Sequence, residues 1–232
     1  MSSLRTDVDE RGVATVTIDH PPINLITMEV FFELGAEIER LAHDDSARAV
    51  VFRSANPEWF LAHFDVEAIQ QFPREQPEPI AIGPYDQMCE TLRTMPKPTI
   101  AVIAGRVGGG GSEFALGCDM RFATPDAVFS QPEVALGIVP GAGGTVRLPR
   151  LIGRSRALEV VLGANAKQPQ LALGAEAEGR VAVEQDGHRG VQAARLDQVG
   201  LGVGTAASGE ASEPPALELD HHVGAVERLV GD

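Results

Sequence analysis

The chain has 232 residues, 44% of them hydrophobic, and a formal net charge of −14. That is enough apolar side chain for one large domain, or for one domain with an appendage. An acidic chain with no basic stripe argues against nucleic-acid binding, and no apolar run approaches the ~18 residues of a membrane span.

The N-terminus, MSSLRTDVDE, carries acids early and has no apolar h-region, so a cytoplasmic protein is expected. Val13 to Ile18 is a β-branched run that reads as a strand. His20-Pro21-Pro22 ends it. Thr27 can cap a helix whose apolar positions Phe31, Leu34, Ile38 and Leu41 step by three and four. Ala49 to Phe52 is a second strand, and the alternation of strand and helix predicts an α/β class. Trp59 to Phe64 is aromatic-rich. His63 there reads first as a half-buried structural histidine, and Asp65 as the cap of a following helix.

Residues 73–84 are proline-rich and read as a mobile surface loop. A helix is expected over Tyr85 to Met95, and a buried strand over Thr99 to Ala104. The run GGGGSE follows at 108–113, opening a helix expected from about Glu113. Short strands are expected at Met120 to Ala123 and at Val128-Phe129, and a helical stretch after the glycines at 140–144, through Leu162. No aromatic residue lies beyond Phe129. Residues 166–213 show no lasting period and are expected to be disordered or loosely packed, with one terminal helix over Ala216 to Val230. No internal repeat of solenoid length is evident.

The glycine run is where the chemistry concentrates. It lacks the Lys of a P-loop, and Glu113 stands where a dinucleotide fingerprint needs its last glycine. Unobstructed amides at a glycine bend can instead hold a developing oxyanion. Glu113 sits in an otherwise apolar stretch, and Glu133 follows twenty residues later in Gln131-Pro132-Glu133. A carboxylate at Glu113 is costly without a purpose or a partner, a solvated first-turn acid being the lesser reading, whereas Glu133 alone reads as a surface turn. Together they form a pair that can pass protons. Ser112 is in no GxSxG elbow. His221-His222 has no partners at metal spacing, and Cys89 and Cys118 form no CxxC pair, so no metal site is expected.

Four segments, VATVTIDHPPINLI, WFLAHFDV, the stretch from Lys97 to Ala123 and that from Phe129 to Ala164, resemble the crotonase (enoyl-CoA hydratase/isomerase) superfamily over residues 11–165. The resemblance implies an α/β spiral of ββα turns over 1–165, with 166–232 an atypical, largely irregular tail where the family has C-terminal helices. It implies an acyl-CoA thioester substrate, no cofactor beyond the substrate's coenzyme A, and a homotrimer or hexamer. By motif position, the amides of Ala62 and Gly110 would form the oxyanion hole, and Glu113 and Glu133 would be the catalytic pair. His63, Asp65 and Gly109 would line the substrate, and Gly141 would pack beside the second glutamate. Hydration of a 2-enoyl-CoA is the activity implied. Isomerisation or other enolate chemistry, and a non-catalytic homologue with an altered tail, are the alternatives. Where the family commonly has Gly-Ala-Asp, this chain has His63-Phe64-Asp65.

Overall fold

A computed structural model describes residues 2–71, 82–164 and 182–183. The chain divides into two compact units, 1–184 and 185–232, and the second lies outside the described residues. So do most of the proline-rich loop, the helix expected over 216–230 and nearly all of the irregular tail.

Strand β1 (Leu4–Val8) pairs antiparallel with β2 (Val13–Ile18), in register from Leu4↔Ile18 to Val8↔Ala14. The charged β1 sequence, LRTDV, gave no strand signal. Its pairing comes from the Asp9–Gly12 turn, where the Asp9 carboxylate accepts from the Arg11 and Val13 amides. Helix α1 (Met28–Ala42) starts where expected, with the Thr27 hydroxyl accepting from the Val30 amide at 3.2 Å. Its buried face is Val30, Leu34, Ile38 and Leu41. Phe31 is rotated to a half-buried flank.

Three turns of one pattern follow. Each gives a strand to a large sheet, then a short strand to a second sheet, then helix. The first turn contains β3 (Ala49–Ser54), β4 (Trp59–Leu61), α2 (Val66–Gln70) and α3 (Pro84–Thr94). The second contains β5 (Thr99–Ile103), β6 (Arg106–Gly108) and α4 (Gly110–Gly117). The third contains β7 (Met120–Ala123), β8 (Val128–Ser130), a 3-10 turn (Glu133–Leu136), α5 (Gly144–Ile152) and α6 (Arg154–Gly163).

The large sheet has the order β1-β2-β3-β5-β7-β9, where β9 is Ala182–Val183. It is parallel from β2 to β7, and antiparallel at both edges. The small sheet, β4-β6-β8, is wholly parallel. This is the expected spiral of ββα turns. Its turns begin at residues 49, 99 and 120, so their unequal lengths defeat a search for a fixed sequence period. Strand β9 corrects the expectation of irregular chain at residues 182–183, where the exposed edge of β7 supplies pairing.

The main core lies between the large sheet and α1, α3 and α4. It includes Val16, Ile18, Leu34, Ile38, Phe52, Leu92, Ile103 and Phe114. Phe52 and Phe114 meet edge to face at 5.1 Å, which ties the large sheet to α4. Among the described residues no helix is long and apolar enough to cross a membrane.

Candidate active site

The C-terminal ends of β4, β6 and β8 lie side by side because the small sheet is parallel. The first leads into Ala62–Asp65, the second into Gly109–Glu113 and the third into Gln131–Glu133. Crevices beyond the carboxyl ends of parallel strands are where α/β proteins place their ligands. With β6 in the middle, the glycine run is flanked on one side by His63 and Phe64 and on the other by Glu133.

Gly109 turns the chain out of β6 with φ +49°, a conformation costly for any side chain. A Cβ there would also lie 3.1 Å from both Glu133 Oε1 and His63 Cβ. Helix α4 starts at once, three residues before the expected Glu113, and all eight of its residues are buried. Two backbone bonds seat it: the Gly109 amide donates to the Ser130 carbonyl at 3.0 Å, and the Gly111 amide to the Ala62 carbonyl at 2.9 Å. Glycine's poor helix propensity misplaced the predicted start, because tertiary packing overrides propensity here.

Glu113 is 3% exposed and Glu133 8% exposed. The amides of Ala142 and Gly144 donate to Glu113 Oε1 at 2.8 and 2.7 Å. Burial pushes the Glu113 carboxyl up to about 7. The two amides oppose that rise, and the Glu133 charge adds to it. Glu133 is also raised by burial, against its own backbone amide and the nearby His63. With its side-chain amide nitrogen facing Glu133, Gln131 donates to both carboxylate oxygens at 3.0 Å. A Cβ at Gly144 would fall 2.9 Å from Glu113 Oε1 and 3.0 Å from the Gln131 amide.

The loop that holds Glu113 is itself held by Arg147, which is 7% exposed. Its guanidinium donates to the Ala142 carbonyl at 2.7 Å and to Glu90 on α3 at 2.7 Å. Neither Gln131 nor Arg147 stood out in the sequence as a site residue. A charge in the apolar GTVRLPRLI stretch was the available signal.

Two expected placements are corrected. The Ala62 amide donates to the Asn24 carbonyl at 3.0 Å, so it is committed to the fold rather than to a ligand. The amide facing the glycine run belongs to Phe64. Its parallel bridge to Ile26 uses the His63 carbonyl and the Asp65 amide, which turns the Phe64 N–H to the opposite side. There the Phe64 nitrogen lies 3.3 Å from where a Gly110 Cβ would be. As the first residue of α4, Gly110 has no helical acceptor for its own amide. Gly141 is the second correction: it is exposed, and a Cβ there would meet nothing within 4 Å. The close-packed loop glycine is Gly144, and it packs beside Glu113.

Asp65 caps α2, accepting from the Glu67 amide at 2.9 Å. His63 is half-buried, and its Nδ1–H donates to the Phe64 carbonyl at 2.8 Å. Among the described residues no cluster of three His, Cys, Asp or Glu side chains could hold a metal ion.

Two buried carboxylates thus lie beyond the strand ends of the small sheet in a spiral of ββα turns. The sequence profile of enoyl-CoA hydratase/isomerase matches residues 9–177, and the chain belongs to that family. It is 39% identical over 159 residues to the glyoxysomal fatty acid beta-oxidation multifunctional protein MFP-a of Cucumis sativus. That alignment covers 67% of this chain but 22% of the much longer relative. Among solved structures, a candidate enoyl-CoA hydratase from Streptomyces avermitilis is 38% identical with a TM-score of 0.65, covering 74% of this chain and 66% of that one. The enoyl-CoA hydratase of Bacillus anthracis is 28% identical with a TM-score of 0.66, covering 74% and 68%.

Proposed function

We propose that the chain is an enoyl-CoA hydratase-type lyase, adding water across the C2=C3 bond of a 2-enoyl-CoA thioester. The observation that carries this reading is the pair Glu113 and Glu133, both buried and close enough for the charge of one to act on the other, on the loops that also carry the Gly110 and Phe64 amides. Water attacks C3, and the C2=C3 electron pair moves toward the thioester carbonyl. The resulting enolate oxygen is stabilised by the N–H groups of Gly110 and Phe64. Such a donor is typically worth about 3 kcal/mol in the transition state.

An ionised glutamate takes the water proton, and a protonated one delivers a proton to C2. Glu113 orients the water, anchored through Oε1 with Oε2 left for the nucleophile, and Glu133 serves C2. A carboxyl poised at about 7 is near half-ionised at neutral pH, the condition in which it exchanges protons best. Hydration needs both an activated water and a proton for C2. Isomerisation needs no activated water, so keeping two carboxyls favours hydration. The reaction calls for no metal or redox chemistry.

The test is hydration of crotonyl-CoA, followed by loss of enoyl-thioester absorbance. Glu113→Gln and Glu133→Gln should each lower kcat by ~10²-fold or more while leaving the fold intact. Parent-like turnover in either folded variant rules out the two-carboxylate mechanism.

A further inference from the structure

Four consecutive glycines, 108–111, lead into α4. Glycine has the widest backbone freedom of any residue, so nothing intrinsic fixes where the amides of this run point. Their direction must come from contacts outside the run. Three are backbone bonds: from Gly109 to Ser130, from Gly111 to Ala62, and from the Glu113 amide to the Gly109 carbonyl. A further one comes from a side chain. The Tyr85 hydroxyl, on α3, donates to the Gly110 carbonyl at 2.9 Å.

That carbonyl and the Gly111 amide belong to one planar peptide unit. Tyr85 therefore pins one end of the unit and Ala62 the other. The preceding unit carries the Gly110 N–H; its Gly109 carbonyl accepts from the Glu113 amide at 3.0 Å, and it meets the pinned unit at the Gly110 Cα. Tyr85 is in turn held by its ring, stacked on Phe31 at 5.7 Å and edge-on to Phe64 at 5.8 Å. The same side chain thus touches the residues that carry both amides. Burial holds the hydroxyl well above its ordinary range, so it remains a proton donor throughout any working pH.

We propose that Tyr85 is a positioning residue: it fixes the Gly110–Gly111 peptide so that the Gly110 and Phe64 N–H groups converge on one oxygen. This rests on the oxyanion role proposed above. Tyr85 touches no reacting atom. Its contribution is preorganisation, which catalysis by fixed dipoles requires.

The test is Tyr85→Phe, which removes the donor and keeps the ring. Two measurements are made on the full chain. One is the red shift of an aromatic enoyl-CoA on binding, which reports polarisation of its carbonyl, together with kcat and KM. The other is amide hydrogen exchange of the segment 108–116. The expected result is a smaller red shift, a roughly 10-fold lower kcat with KM nearly unchanged, and faster exchange at Gly111. A merely structural tyrosine would lower thermal stability without changing the shift. An undiminished shift in the variant, or unchanged exchange at Gly111, overturns the proposal. If the parent itself polarises no enoyl thioester, the hydratase reading fails, and exchange alone decides whether Tyr85 holds the peptide.

Discussion

Glu113 shows how a residue unfavourable for the fold can be the one that a proposed chemistry uses. Its folded pKa is raised from an ordinary 4.5 to about 7, so the native state binds the proton more tightly than the unfolded chain does. The sign follows from linkage. Between these two values the native state holds more protons, so stability falls as pH rises through this window and levels off above it. The shift corresponds to about 3 kcal/mol lost at high pH. Glu113→Gln keeps an oxygen for the Ala142 and Gly144 amides and removes the titration. Its melting temperature should exceed the parent's at about pH 8, with the gap closing toward about pH 4. A gap that does not change with pH would show that the carboxyl is not held neutral by burial. The two acids were legible in the sequence because Glu113 breaks an apolar stretch and Glu133 follows it at the twenty-residue spacing of the family motif. Gln131, Arg147 and the loop amides were not, since their value lies in what they touch. The engagement of the Ala62 amide was hidden for the same reason: Asn24, far upstream, takes it.

At the scale of elements, α1 was readable end to end, because a 3.6-residue period and a threonine cap agree. The small sheet was largely invisible, because β4 and β6 have three residues each, too few to establish a period. Helix α4 was found but begun too late. It reaches the site by packing backbone on backbone. A Cβ at Gly111 would lie 2.2 Å from the Ala62 carbonyl oxygen and 2.3 Å from that of Leu61. Backbone on both sides cannot yield as a flexible side chain would. Gly111→Ala should therefore cost roughly 3 kcal/mol or more. Gly35, inside α1, has nothing within 4 Å of the equivalent position. Gly35→Ala should instead stabilise by about 0.5–1 kcal/mol, the helix-propensity difference. Urea midpoints moving in opposite directions would bear this out, and a Gly111→Ala midpoint equal to the parent's would refute the close packing.

At the scale of the whole unit, every turn of the spiral gives one strand to each sheet, so neither sheet can come apart while the other stays paired. Unfolding of this unit should be a single cooperative transition. The chain's one tryptophan, Trp59, lies on β4, where Arg106 of β6 covers its ring at 5.6 Å. Its fluorescence therefore reports the small sheet, while far-ultraviolet circular dichroism is dominated by the helices and the large sheet. The two denaturation curves should coincide. A fluorescence change that precedes the dichroism change would mean that the small sheet, and the site on its strand ends, opens on its own.

The Ala142 and Gly144 amides that receive Glu113 come 29 and 31 residues after it in the chain. A growing polypeptide is made from its N-terminus, so this carboxyl emerges from the ribosome before its partners do. Until they arrive it must either face water or carry a proton, and α4 cannot seat fully against the small sheet with a charge left unmet. Closure of the 142–144 loop is thus the event that completes both the core and the acid pair. On the proposed mechanism, the same short stretch of backbone sets both when this unit finishes packing and when its carboxyls are placed for chemistry.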